Sequence, residues 1–82
     1  MKVHNIKIRE QYYERIVLGQ KSFEVRKNDR DYQVNDCLMF EVINPTNNES
    51  IPASDLYKIG YIHSGLGMAE GYVVLEISKV ER

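Results

Sequence analysis

The stretch GQKSFEVRKNDRDYQVND, residues 19–36, combines the pattern of a short strand with an unusual density of ionisable side chains. Within it Phe23 and Val25 alternate with polar residues, which predicts a strand over residues 22–26 whose two apolar side chains face inward. A hairpin with a purely structural role needs only an apolar face and a turn. The additional charges therefore make this stretch the first candidate for a functional site.

The residues before this stretch predict one strand and one helix. Polar and apolar side chains alternate from residue 3 to residue 8, which is typical of a strand with one buried face. Residues 9–18 instead follow helical spacing, and Gly19 is suited to a left-handed helix end. The side of this helix predicted to be apolar consists of Tyr12, Tyr13, Ile16 and Val17.

The residues after it predict a loop and three further strands. Residues 27–36 contain two Asn-Asp pairs, which favour turns, with Tyr32 and Val34 as apolar anchors. The strands are predicted at residues 37–43, 56–62 and 72–80, separated by a polar turn at 44–48 and a glycine-containing loop at 65–71. One N-terminal helix and about five strands predict a β-rich α+β fold, either a small barrel or a strongly curved sheet.

Length and composition restrict the class of protein. A chain of 82 residues predicts a single domain spanning residues 1–82. No apolar run approaches the roughly 20 residues of a membrane-spanning helix, and the alternating N-terminus does not resemble a secretory signal, so a soluble cytoplasmic protein is expected. The single cysteine, Cys37, cannot form an internal disulfide and is predicted to be a small core residue.

Charge is unevenly distributed along the chain. The net charge is −1, yet residues 1–30 hold eight Lys or Arg and four Asp or Glu, whereas residues 31–82 hold three and eight. This asymmetry favours a basic face that binds phosphate. An alternative is that strands from the two halves interleave and mix their charges.

Side chains two apart on a strand point the same way, so Ser22, Glu24 and Arg26 can form one polar row about 13 Å long. Arginine and lysine bind phosphate, and a carboxylate accepts hydrogen bonds from base amino groups or orients an arginine. The alternative is a solvated face on which neighbouring charges neutralise each other. The ligand-binding candidates are Lys21, Ser22, Glu24, Arg26, Lys27, Asn28, Asp29, Arg30 and Tyr72.

Tyr72 is included because the chain has six tyrosines, whose rings can stack on bases. It follows Gly71, which offers a hinge. No metal site and no cofactor are predicted, because His4, Cys37 and His63 lack zinc-ligand spacing.

The charged stretch is similar to the activating signal cointegrator homology (ASCH) superfamily, a PUA-like group of small β-barrels. It most resembles a compact bacterial and phage-associated branch. The resemblance covers nearly the whole chain, although Asn35 stands where the branch has glycine and residues 44–55 follow no family pattern. The matching positions are His4, Lys7, Ile8, Tyr12, Gly19, Lys21, Phe23, Glu24, Arg26, Asn28, Asp29, Arg30, Val34, Asp36, Leu38 and residues 71–75.

The resemblance implies a cleft beside the second strand that binds RNA or a modified nucleoside. Some related members are amidohydrolases that deacetylate acetylcytidine with a lysine, a threonine and a glutamate. By position the lysine falls on Lys21 and the threonine on Glu24, while the helical insertion that carries the glutamate is absent from this sequence. Other members resemble ribonucleases, for which Lys21 with Glu24 is the local acid–base candidate.

These observations lead to three functional expectations. The leading one is a protein that binds RNA, a nucleotide or a modified nucleoside in a basic cleft. Its phosphate would be bound by Lys21, Arg26, Lys27 and Arg30. One alternative is a small amidohydrolase or ribonuclease, and another is a protein-interaction module in which the motif stabilises the loop. The sequence does not decide the oligomeric state.

Overall fold

Five strands and one short helix make up the fold. The computed structural model describes residues 1–81. No helix among them is long and apolar enough to cross a membrane. The elements are β1 (Val3–Arg9), α1 (Glu10–Val17), β2 (Phe23–Lys27), β3 (Cys37–Ile43), β4 (Ser50–His63) and β5 (Tyr72–Lys79).

The strands form one sheet in the order β1-β3-β4-β5-β2. β1 runs parallel to β3, and the other neighbouring pairs are antiparallel. The sheet curls into a half-barrel, so the predicted class, a β-rich fold of about five strands with one N-terminal helix, is confirmed. β1 and β2 are the two edge strands of this sheet.

The core fills the inside of the curl. β1, β3, β4 and β5 contribute alternate side chains to it, as the period-2 pattern predicts, and α1 adds Ile16. Phe40 packs edge-on between the rings of Tyr13 and Tyr57, with ring centres 5.8 and 5.6 Å away. Cys37 is buried, as predicted. The most deeply buried side chains are Ile6, Leu38, Phe40, Ile59 and Leu75.

The predicted orientation of β2 is wrong. Phe23 and Val25 are 44 % and 49 % exposed, whereas Glu24 between them is only 3 % exposed. Alternation shows that the two faces of a strand differ, but a charged residue can take the inner face when cations neutralise it. Val34, predicted as an anchor of the loop, is also half exposed, while its companion Tyr32 is buried.

β4 is longer than predicted, since it begins at Ser50 rather than at residue 56. Its first half pairs with the end of β3, where Ser50 lies opposite Ile43. Pro52 lies within this half. Because proline is disfavoured inside strands, the sequence pattern did not predict a strand here.

A buried carboxylate fastens the loop after β2 to the start of the chain. One Asp36 oxygen accepts hydrogen bonds from His4 Nε2 at 2.8 Å and from the backbone N–H of Gln33 at 3.1 Å. The other accepts a hydrogen bond from the backbone N–H of Lys2 at 3.0 Å. The hydrogen bond from His4 is the largest cause that lowers the pKa of Asp36; together with the two backbone amides, and against burial, which raises it, it brings this pKa to about 2. Asp36 therefore joins β1 to the loop in its ionised form.

Replacing this carboxylate should destabilise the fold. Asp36→Ala leaves His4 and the amides of Lys2 and Gln33 without their acceptor, so we expect the melting temperature at pH 7 to fall by about 5 °C or more. Glu70→Ala, which removes an exposed carboxylate, is the matched control and should leave it unchanged. An Asp36→Ala protein that melts with wild type would show that the loop is not held in this way.

The same pair predicts the pH dependence. The pKa of Asp36 is lower in the folded state than its ordinary value of 3.8, so its stabilising contribution is complete above that value and is lost as pH falls towards 2. The difference in denaturant midpoint between wild type and Asp36→Ala should therefore stay constant from pH 7 to about 5 and shrink in more acidic buffer.

Candidate functional site

The two edge strands, β1 and β2, face each other across a gap that arginine side chains bridge. Arg26 Nη2 donates a hydrogen bond to the carbonyl of Lys7 at 2.5 Å, and Arg30 Nη1 donates to the carbonyl of Asn5 at 2.6 Å. These carbonyls lie two residues apart on β1, so both point to the same side of the strand. The arginines thus satisfy acceptors that a neighbouring strand would satisfy in a closed barrel.

Glu24 anchors Arg26 from the other side. Its side chain is 4 % exposed, with Oε1 2.5 Å from Lys21 Nζ and Oε2 3.1 Å from Arg26 Nε. A carboxylate this buried is stable only when charge partners and hydrogen bonds replace water. Lys21 and Arg26 supply both, so a continuous set of polar contacts runs from Lys21 through Glu24 and Arg26 to the backbone of β1.

This set of contacts lies in a cleft of about 580 Å³, within the usual size range of small-molecule sites. Four of the lining side chains are cationic and one is a carboxylate, which favours an anionic ligand. The lining residues are Lys7, Ile8, Arg9, Tyr12, Lys21, Glu24, Val25, Arg26, Ile43 and Asn48.

Aromatic rings flank the ammonium group of Lys21. Its Nζ lies 5.1 Å from the centre of the Tyr12 ring and 5.6 Å from the centre of the Phe23 ring, both within cation–π range. Tyr12 is 46 % exposed and Phe23 is 44 % exposed. A ligand in the cleft therefore meets a partly open tyrosine ring beside the cations.

The structure brings together three of the nine predicted ligand-binding residues in this cleft, Lys21, Glu24 and Arg26. Ser22 lines a separate, smaller cavity, which Lys21 also lines. The others lie outside the lining of the cleft: Lys27, Asn28, Asp29, Arg30 and Tyr72.

Two of these outer residues, Asn28 and Arg30, take part in structural contacts. The side-chain Oδ1 of Asn28 accepts a hydrogen bond from the backbone N–H of Tyr32 at 3.3 Å, and the backbone N–H of Asn28 donates to the Gly71 carbonyl at 2.8 Å. Arg30 reaches Asn5 rather than its neighbour Asp29. Residues 27–36 thus form a hydrogen-bonded loop, as their composition predicts. This loop does not hold Arg26, which is bound instead by Glu24 and by the Lys7 carbonyl of β1.

Sequence reasoning missed the cleft residues that come from β1, α1, the end of β3 and the loop after it. Lys7 and Tyr12 belong to the family resemblance and could have been selected on that ground, whereas Arg9, Ile43 and Asn48 carry no signal of their own. They become neighbours of Glu24 only because the curl of the sheet brings β1, together with the end of β3 and the loop after it, opposite β2.

The buried carboxylate should matter far more than an exposed one. Glu24→Gln leaves Lys21 and Arg26 without their countercharge, and we expect the free energy of unfolding to fall by about 1–3 kcal/mol. The matched control is Asp55→Asn, which removes the half-exposed Lys79–Asp55 pair at 3.7 Å and should cost less than about 1 kcal/mol. Urea denaturation measures both, and equal effects would contradict this role for Glu24.

Comparison with known proteins supports the fold. The crystal structure of hypothetical protein PH0355 matches with a TM-score of 0.64 at 18 % identity, over 98 % of this chain and 100 % of that chain. At such low identity the likeness shows the fold alone.

No curated protein matches the sequence significantly. The family model described as domain of unknown function DUF3850 matches residues 3–77. This range includes every residue that lines the cleft. Because the match covers nearly the whole chain, the protein belongs to the DUF3850 family.

Proposed function

We propose that this protein is an ASCH-type, PUA-like domain that binds RNA or a nucleotide in the cleft between β1 and β2. The observation that carries the proposal is the cleft itself, in which four cationic side chains surround one buried carboxylate. Its volume suits a nucleotide. The sequence resemblance to ASCH domains supports the same ligand class.

Phosphate is assigned to Lys7 and Arg9. Within residues 1–81, neither side chain takes part in an ion pair or hydrogen bond, and both residues are exposed at the cleft. Lys21, Arg26 and Arg30 are already bound to Glu24 or to β1 carbonyls. The two free cations of β1 are therefore better placed for phosphate than these three paired cations, which the sequence predicted as phosphate ligands.

The base is assigned to the uncharged residues of the cleft and to Glu24. The Tyr12 ring offers a stacking surface, a contact worth about 1–3 kcal/mol for each base. Asn48 lines the cleft and is exposed, so its amide can donate to or accept from a base edge. Glu24 retains lone pairs beyond those used by Lys21 and Arg26 and can accept from a base amino group.

The proposal predicts weak, salt-dependent binding. A fluorescein-labelled hexamer of uridine should bind less tightly as salt rises, and Lys7→Ala should lower the affinity and reduce the salt slope by about 0.7. Lys58→Ala removes the same charge from an exposed position on β4 and should bind like wild type. Fluorescence anisotropy measures all three proteins. An affinity independent of salt, or an equal loss in the two variants, would refute phosphate binding in the cleft.

A second candidate function is hydrolysis, as an acetylcytidine-type amidohydrolase or a ribonuclease. It is favoured by the 2.5 Å contact between Lys21 Nζ and the Glu24 carboxylate, which places two groups capable of acid–base chemistry together. The same contact pairs Lys21 with a buried carboxylate as an ion pair, whereas a lysine acting as nucleophile must be neutral. We therefore prefer binding.

This preference can be tested directly. The purified protein should show no turnover of N4-acetylcytidine, and Lys21→Ala should weaken binding of the uridine hexamer because the cleft loses one cation. Lys21→Arg, which retains the charge, should keep most of the affinity. Chromatographic assay of cytidine release measures turnover. Robust deacetylation by wild type that disappears in Lys21→Ala would overturn the preference and establish the enzyme.

A further inference from the structure

The outer surface of the sheet carries exposed aromatic residues that neither the core nor the cleft explains. Strand register places Phe23, Glu76 and Tyr61 in one row across β2, β5 and β4. Paired side chains share a face of the sheet. Phe23, Tyr61 and Tyr72 are 44 %, 58 % and 42 % exposed. We call Phe23, Val25, Tyr61, Tyr72 and Val74 the outer platform.

An irregularity in β4 places Tyr61 on this surface. Tyr57 and Ile59 are buried, and simple alternation would turn residue 61 inward as well. The register between β4 and β5 shifts between Ile59 and Tyr61, around Gly60, so Tyr61 lies opposite the exposed Glu76. Such bulges re-aim side chains. The fold therefore exposes a ring that regular alternation would have buried.

The outer platform is continuous with the cleft. Val25 belongs to both surfaces, since it also lines the cleft. Lys21 Nζ lies 5.1 Å from the ring of Tyr12 in the cleft and 5.6 Å from the ring of Phe23 on the platform. One ammonium group thus joins the two surfaces, and a ligand that leaves the cleft past Lys21 meets Phe23 next.

The spacing of the rings suits successive bases of an extended strand. From strand and residue spacings, Phe23 lies about 10 Å from Tyr61 and about 14 Å from Tyr72. Each ring can therefore stack on a separate base. Lys27 pairs with Tyr72 and adds a cation at that end. Glu76, which lies between Phe23 and Tyr61, is a negative charge on the same face and would repel phosphate. His63 also faces outward, opposite Val74.

From these placements we infer that the ligand is a single strand of RNA several nucleotides long, held by one nucleotide in the cleft and by bases stacked on the outer platform. The inference rests on the proposed function and narrows its ligand from any nucleotide to a strand. Aromatic rings beside a basic groove are the recurring means of binding single strands, because every base has a π face.

Competition experiments test the inference. Unlabelled uridine monophosphate, trimer and hexamer should displace the labelled hexamer with affinity that rises with length. Tyr61→Leu keeps the apolar bulk but removes the ring, and it should weaken the hexamer at least about fivefold while leaving the monophosphate unchanged, because Tyr61 does not line the cleft. Leu66→Ala alters an apolar residue that is 91 % exposed in the loop before β5 and should change neither.

The outcomes separate this inference from the proposed function. Equal affinity for monophosphate and hexamer would overturn the strand ligand while leaving nucleotide binding in the cleft intact. Failure of every ligand to bind would refute both. A dimer in analytical ultracentrifugation that dissociates on Phe23→Ser, together with no effect of Tyr61→Leu on RNA binding, would show that a second copy covers the platform and would also overturn the inference.

Discussion

The buried carboxylate of Glu24, held between Lys21 and Arg26, is the interaction on which the rest of the structure depends. A charge inside an edge strand is costly unless it is paired, and pairing it on both sides determines the orientation of β2. The apolar neighbours of Glu24 consequently face outward, and Arg26 is aimed at the opposite edge of the sheet. The cleft and the β2 part of the outer platform are two consequences of the same buried charge.

The edges of the half-barrel are joined by side chains. A backbone ladder between β1 and β2 would bring the strands to about 4.8 Å and close the gap. Arg26 and Arg30 instead reach across to the carbonyls of Lys7 and Asn5, which satisfies acceptors on an exposed edge and leaves room for a cleft. The same fold can therefore be stable and keep an open basic site.

Much of the fold could be predicted because its signals are local. β3 was predicted at its observed boundaries, and β1 and α1 to within one residue at either end, because alternation and helical spacing are strong there. The orientation of β2 could not be predicted, since it depends on the ion pairs of Glu24. Lys21, Glu24 and Arg26 were selected from one charged stretch, whereas Arg9 and Asn48 join them only through the curl of the sheet.

We propose the cleft between the two edge strands as the place where this protein binds its ligand. Titration of the ¹⁵N-labelled protein with the uridine hexamer, followed by backbone amide chemical shifts, tests it most directly. We expect the largest changes at residues 7–12 and 21–26, with little change at residues 64–68 in the loop before β5. Changes concentrated in that loop, with residues 7–12 unaffected, would contradict it.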